Sequence, residues 1–423
     1  MKINGLLLSV SSFSFLSFLR RAIFYAFFYV YLRTFLGLSN TLSALLGTAN
    51  LATSTIGQLK LWGPRLNRNP SLAKKYVVRG EIIAGIVYLI AFFGHRILII
   101  SETKLLAALF LITCTSFLEI FWSGSDLGVR HLQAEATVGE NRGRLVGTID
   151  GIGLIGQLLG FLMGGVLYQD GFGFFNGDIF YLVVILIFAC ALVIFIAPYK
   201  GKLDDNPILT TGGLKEVLKI PSFGSFIIVL GILTMGVSAS TQIFLYYVTD
   251  PTALNFSEEY LSYLLLFFSF AGGVIAPIGG KLSDYFGRIP IMIISAFGAA
   301  FSYFAFFLFG EQPFIVIVVI YVILGASFAI LQSIAFAFSA DLLPHELQGT
   351  GFGVFNVTLA TGWGLAGFLI GGPISDILIF LGASNAHAYR VSFLVSSIIV
   401  IFGMIALISI RRVSSSNQQI SQR

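Results

Sequence analysis

Two adjacent arginines, Arg20 and Arg21, interrupt the apolar run SFLRRAIFYAFFYVYL at residues 17–32. A guanidinium at the centre of a membrane helix costs at least ~2.5 kcal/mol, so the pair demands partners. Acids in equally apolar surroundings can supply them. Glu119, Trp122, Asp126, Arg130 and Gln133 follow one another at steps of 3, 4, 4 and 3, which is one face of a helix. Ser14, Ser17, Arg21, Tyr25 and Tyr29 make a similar face, with Arg20 turned about 100° from it, toward protein. Counted along their helices, Arg21 and Glu119 lie about 22 and 21 Å from the same membrane surface. Arg21 can therefore pair with Glu119 or Asp126, and a proton on the acid or a polar or anionic solute can exchange with either partner. The plainer reading is a permanent ion pair that only orients two helices. Asp150 and, two turns on, Gln157 offer a second and shallower place for a proton, or a helix cap. Glu81, close in sequence to Arg79, reads as an interfacial pair.

Such residues need a bilayer around them, and the composition supplies one. Of 423 residues, 57% are hydrophobic and only 11% charged, whereas soluble domains carry roughly 25% charged residues. The chain is an integral membrane protein. Twelve apolar segments of about 20 residues can be counted along it, the second over 38–62. The net charge of +5 comes from residues in short gaps between these segments. No exposed basic patch forms, and no nucleic-acid partner is expected. Lys and Arg concentrate in alternate gaps, at Lys60 to Arg79, Arg130 to Arg144, Lys200 to Lys219 and Lys281 to Arg288. The intervening gaps hold only Arg33, Arg96, Lys104 and Arg390, an asymmetry that places both termini in the cytoplasm. The run from Leu6 to Leu19 has no small-residue cleavage site after it and continues past the arginines, so it reads as a spanning helix and not as a signal peptide. Cys114 and Cys190 both fall inside apolar segments and imply no disulfide framework. There is no GxxxxGK[ST] loop, and His95, His131, His345 and His387 are scattered. An enzyme, an ATP-driven pump, a metal centre and a cofactor are all disfavoured.

The longest gap, Tyr199 to Pro221, divides the chain. The expected organisation is a six-helix bundle over 1–198, a cytoplasmic linker over 199–221, a second six-helix bundle over 222–412 and a cytoplasmic tail over 413–423. An offset of 206 relates Glu135 to Asp341, Glu140 to Glu346, Gly143 to Gly349, Gly147 to Gly353, Gly156 to Gly362 and Gly165 to Gly371. Two such halves, related by an axis along the membrane normal, are one architecture used for alternating access. After the eighth segment, GGKLSDYFGRIPIMI places Gly280, Asp284, Gly287 and Arg288 in the order G-x-x-x-D-x-x-G-R. Gly287 permits a tight turn, Asp284 can accept from the amides of a helix N-terminus, and Arg288 can pair with Asp341 as a cytoplasmic latch. Solvated loop charges are the alternative.

This loop resembles the signature loop of the major facilitator superfamily. AEATVGENRGRLVG and ADLLPHELQGTGFG look like that family's acidic exits from the fourth and tenth spans. Gly147, Gly156, Gly160, Gly164 and Gly165 match the glycine spacing of a motif in family antiporters, with Phe161 where that motif has proline. The first-half loop, GQLKLWGPRLNRNPSLAKK, departs from the family pattern, having Gly57 and basic residues but no Asp.

The resemblance covers nearly the whole chain. It implies an all-α integral membrane fold of twelve transmembrane helices in two six-helix bundles, with the first, fourth, seventh and tenth spans lining a central cavity. On this reading Arg20, Arg21, Glu119, Asp126, Arg130 and Asp150 are candidates for proton or substrate coupling. Tyr25, Trp122, Gln157, Gln242, Tyr246, Gln332, Asn356 and Trp363 are candidates for substrate contact, although each taken singly is more often a packing residue. The expected function is secondary active transport of a small polar or anionic organic solute, or a drug-like compound, coupled to protons, by a monomer in the plasma membrane. A facilitated uniporter for a sugar or metabolite is the first alternative, and it would be indifferent to collapse of the proton gradient. A sensor on the same scaffold is the second, and it would bind ligand without flux.

Overall fold

In lipid only a helix satisfies every backbone group within a single segment, so long apolar runs become helices. In the computed structural model, which describes residues 5–62, 65–66, 70–136, 142–199, 214–310, 313–343 and 348–421, the described regular elements are all helical. The main ones are α1 (Gly5–Val30), α2 (Asn40–Ile56), α3 (Ala73–Ile100), α4 (Lys104–Ala136), α5 (Arg142–Tyr168) and α6 (Asp178–Ile196). They are followed by α7 (Pro221–Ala239), α8 (Glu258–Phe286), α9 (Arg288–Phe309), α10 (Phe314–Leu342), α11 (Gln348–Ala366) and α12 (Asn385–Ser421). Helix α7 continues as Thr241–Thr249, and α11 continues through a π-helical turn, Gly367–Gly371, into Gly372–Phe380. A π turn also ends α1 at Tyr31–Phe35 and α2 at Gly57–Trp62.

Among the described residues, 11 helices are long and apolar enough to cross a membrane. The expected second span departs from that standard. It is helical, but the Asn, Ser and Thr residues of NTLSALLGTANLATSTI dilute its hydropathy. Glu140 and Glu346, singled out from the sequence repeat, lie outside the described residues, as does most of the 199–221 stretch.

The chain forms two compact units. Unit 1 comprises 1–39, 48–207 and 256–266, and unit 2 comprises 40–47, 208–255 and 267–423. In unit 1, α1 packs on α5 and α6, while α3 packs on α4 and α6. In unit 2 the same pairings recur six helices later, with α7 on α11 and α12 and α9 on α10 and α12. The offset of 206 is thus a repeat of packing as well as of letters. One repeat pair shows how: a Cβ on Gly156 would stand 2.3 Å from the Phe15 carbonyl oxygen, and one on Gly362 would stand 2.9 Å from that of Thr234. Both helix pairs meet backbone to backbone, which only glycine permits. Part of the apolar core of unit 1 is aromatic, and another part, around Leu6, Val10, Val77 and Ile194, is mainly aliphatic. Phe24 meets Phe28 at 4.6 Å, Tyr88 at 4.9 Å and Phe174 at 5.3 Å between ring centroids.

Candidate functional site

Arg20 and Arg21 leave α1 in different directions, as the 100° step per residue requires. Arg20 enters the interior of unit 1. Its guanidinium pairs with Glu81 of α3 through two contacts, one of them Nη2 to Oε1 at 3.1 Å, and both side chains are 1% exposed. Glu81 also accepts from Trp122 Nε1 at 3.3 Å and from Ser125 Oγ at 2.7 Å, so both carboxylate oxygens are saturated. Helix α3 can bring Glu81 so close because Gly80 lies against α4, where a Cβ would stand 2.9 Å from the Phe121 carbonyl oxygen. The expected interfacial pairing of Glu81 with Arg79 is therefore replaced by a buried pair with Arg20. Helix α3 starts at Ala73, which puts Glu81 eight residues and about 12 Å inside it.

Arg21 takes the other side. Its Nη2 donates to both oxygens of Asp126, at 2.9 and 3.1 Å, and these two side chains are 38% and 41% exposed. Of the two acids the sequence offered to Arg21, the one it meets is Asp126. Glu119 instead accepts a hydrogen bond from Tyr25 OH at 3.1 Å. Trp122 is buried between these groups, with the Arg20 guanidinium 4.5 Å and that of Arg21 5.7 Å from its ring centroid. Trp122 therefore serves as a wall between two cations and presents no open face to a solute. Arg130 is exposed and donates to Gln133 Oε1 at 3.0 Å, away from the cluster. The side chain of Asp150 lies outside the described residues, and Gln157 of α5 is half-buried.

The unit 2 candidates are more scattered. Gln242 and Tyr246 are buried, Gln332 is half-buried, and Asn356 and Trp363 are exposed. Trp363 packs edge-on against Phe328. At the end of α8, Gly287 has φ +88°, a conformation that favours glycine. It turns the chain so that Arg288 Nη1 reaches Asp284 Oδ1 at 2.5 Å and Ser283 Oγ at 2.7 Å, while Nε reaches Asp341 Oδ2 at 3.1 Å. Gly280, the first residue of this signature, has open space where a Cβ would stand.

A polar cluster that the sequence reading missed lies beyond the end of Thr241–Thr249. Asp250 accepts from Thr252 N at 2.8 Å and Thr252 Oγ1 at 2.6 Å, and from Tyr389 OH at 2.8 Å and Asn385 Nδ2 at 3.0 Å. Burial pushes its carboxyl up, but these four hydrogen bonds outweigh burial and hold it below its ordinary value. Among the described residues no group of three or more His, Cys, Asp or Glu side chains could hold a metal ion.

The sequence profile of the Major Facilitator Superfamily matches residues 10–367. The chain belongs to that superfamily. Solved structures agree in fold. A mutant of the nucleoside transporter NupG superposes with a TM-score of 0.76 at 16% identity, covering 96% of this chain and 99% of that one. A D-xylose-proton symporter superposes with a TM-score of 0.68 at 16% identity, covering 95% of this chain and 97% of that one. No curated protein sequence matches. As a Major Facilitator Superfamily member the chain is a multi-pass membrane transporter and not an enzyme.

Proposed function

We propose that this superfamily member moves a small polar or anionic organic solute, or a drug-like compound, by alternating access and couples that movement to protons. Glu119 is the proton carrier, and Arg21 with Asp126 is the pair that the solute engages. The charge inventory of unit 1 carries this reading. Arg20 has Glu81 and Arg21 has Asp126, whereas Glu119 has a phenol and, among the described residues, no cation within ion-pair distance. A carboxylate without a cation is costly inside a bilayer, and a proton removes that cost. The half-exposed Arg21–Asp126 pair can open for a solute, because partial exposure lowers the cost of separating its charges relative to an enclosed pair. The saturated Arg20–Glu81 pair cannot, and serves as a fixed post.

The uneven distribution of Lys and Arg supports an orientation with both termini cytoplasmic, and the reading keeps two six-helix halves over 1–198 and 222–412 and a monomer in the plasma membrane as the working unit. The neighbours named as a nucleoside transporter and a D-xylose-proton symporter are alike in fold, and at 16% identity they do not assign the solute.

The test begins with a thermal-shift screen of purified protein against anions, sugars, amino acids and cationic drugs at two pH values. A ligand found there is then followed in proteoliposomes under an imposed pH gradient. Wild-type protein should accumulate it above equilibrium. Glu119→Gln should still bind and equilibrate it, with no gradient-driven accumulation and no pH dependence. Accumulation by the variant at the wild-type rate would remove Glu119 from the mechanism.

A further inference from the structure

The stretch from Gly57 to Arg79 carries six cations, Lys60, Arg65, Arg68, Lys74, Lys75 and Arg79, and no acid. The corresponding loop of the second half is built otherwise, since Arg288 there meets Asp284 and Asp341. Lys74 is committed within unit 1, where its Nζ donates to the Ala197 carbonyl at 2.8 Å. Arg68 lies outside the described residues. Lys60, Arg65, Lys75 and Arg79 are exposed, and among the described residues none of them has an acid within ion-pair distance. Trp62 gathers them. Its indole donates to the Ile120 carbonyl of α4, the Arg65 guanidinium lies 5.4 Å from its ring centroid, and the ring of Tyr76, next to Lys75, lies 5.3 Å from it.

The cations stand at the end of a face that lipid must cover. Steps of 4, 3, 4 and 4 carry one side of α3 from Lys75 through Arg79 to Ile82, Ile86 and Ile90, all of them exposed, and the apolar part of that side ends at the exposed Ile100. From Ile82 to Ile100 it runs about 27 Å, close to the ~30 Å of a bilayer's hydrocarbon core. A lipid lying on this side sets its chains against the isoleucines. Its phosphate then falls level with Arg79 and Lys75, which begin about 5 and 11 Å beyond Ile82 and have side chains long enough to reach the headgroup layer. Four uncompensated cations so close together repel one another unless an anion lies between them.

We propose that Lys75 and Arg79 of α3, with Arg65 held on Trp62 and Lys60 beside it, bind the headgroup of an anionic phospholipid. The lipid phosphate supplies to this loop the negative charge that Asp284 and Asp341 supply to Arg288. A zwitterionic headgroup carries its own ammonium and cancels most of the attraction. The site is independent of the solute and of Glu119, and its test uses neither.

The measurement is native mass spectrometry of the full chain in detergent, titrated with an equimolar mixture of phosphatidylglycerol and phosphatidylcholine bearing identical chains. The first lipid retained by wild-type protein should be phosphatidylglycerol, by about tenfold, since each cation near a headgroup is worth about fivefold. Lys75→Gln with Arg79→Gln should lower that preference at least fivefold, and Lys75→Arg with Arg79→Lys, which keeps the charges, should preserve it. Lys215→Gln with Lys219→Gln removes the same net charge from exposed positions elsewhere and should leave the preference as it was. No preference in wild-type protein overturns the site, and so does an equal loss in the two glutamine pairs, which marks a response to net charge alone. Inorganic phosphate, compared with chloride at equal ionic strength, should not displace the lipid. Displacement by phosphate alone overturns the lipid and marks a site for a free anion.

Discussion

At the scale of single residues, adjacent arginines have opposite duties. Arg20 is enclosed with an acid that has no spare lone pair to give, and Arg21 is half-exposed with an acid that, on the proposed function, it releases. Removing one member of a buried pair leaves the other charge uncompensated, at a cost of about 3–5 kcal/mol, whereas replacing both with apolar groups is often neutral. Arg20→Met and Glu81→Met should each lower the thermal midpoint sharply in detergent, and the double variant should recover most of the loss. A double variant no better than the singles would make Glu81 more than a counter-ion. Asp250 gives a pH signature. Its carboxyl is held below the ordinary value in the folded chain, so its contribution is present above the unfolded pKa of ~3.9 and is lost as pH falls through the lower folded value. Wild-type protein should be more stable than Asp250→Asn at neutral pH, with the gap closing as melts are taken at pH below ~4.

At the scale of helices, glycine decides which pairs approach. Gly151 and Gly156 lie five residues apart on α5, yet a Cβ on Gly151 meets nothing within 4 Å and one on Gly156 meets the backbone of α1. Gly156→Val should therefore force the α1–α5 pair apart and cost about 1–3 kcal/mol, whereas Gly151→Ala should be neutral or stabilising through helix propensity. Unfolding midpoints of the two variants check this, and equal effects would refute backbone contact as the cause. The helices themselves were legible from apolar length, and the offset of 206 revealed that the packing repeats. Which acid meets which arginine was only half legible. Periodicity placed Glu119 and Asp126 on one face of α4, but the choice between them depends on side-chain reach, and Glu81 sits on a different helix whose contact with α4 depends on Gly80. No period in the sequence of α4 could announce that neighbour. Asp376, which accepts from the amides of Asn40 and Thr41 at the start of α2, was missed for the same reason, since those partners lie more than 300 residues away.

At the scale of the whole molecule, superfamily membership follows from the match over 10–367, and the solved transporters it superposes on share the fold. The Arg288 cluster gives a test that needs no solute. Ser283 is 2% exposed beneath Arg288, so a cysteine placed there should react slowly with a maleimide, and Arg288→Ala should speed that reaction severalfold. An unchanged rate would mean that the arginine covers nothing. If Glu119, which has no cation within ion-pair distance among the described residues, carries the proton as proposed, the vacant carrier holds one uncompensated negative charge whenever that proton is gone. A carrier that resets in that condition drags charge through the transmembrane field, where one elementary charge crossing fully is worth about 2.3 kcal/mol per 100 mV. Voltage, and not only acidity, then sets how fast the cycle turns over, and Glu119→Gln would make the reset electrically silent.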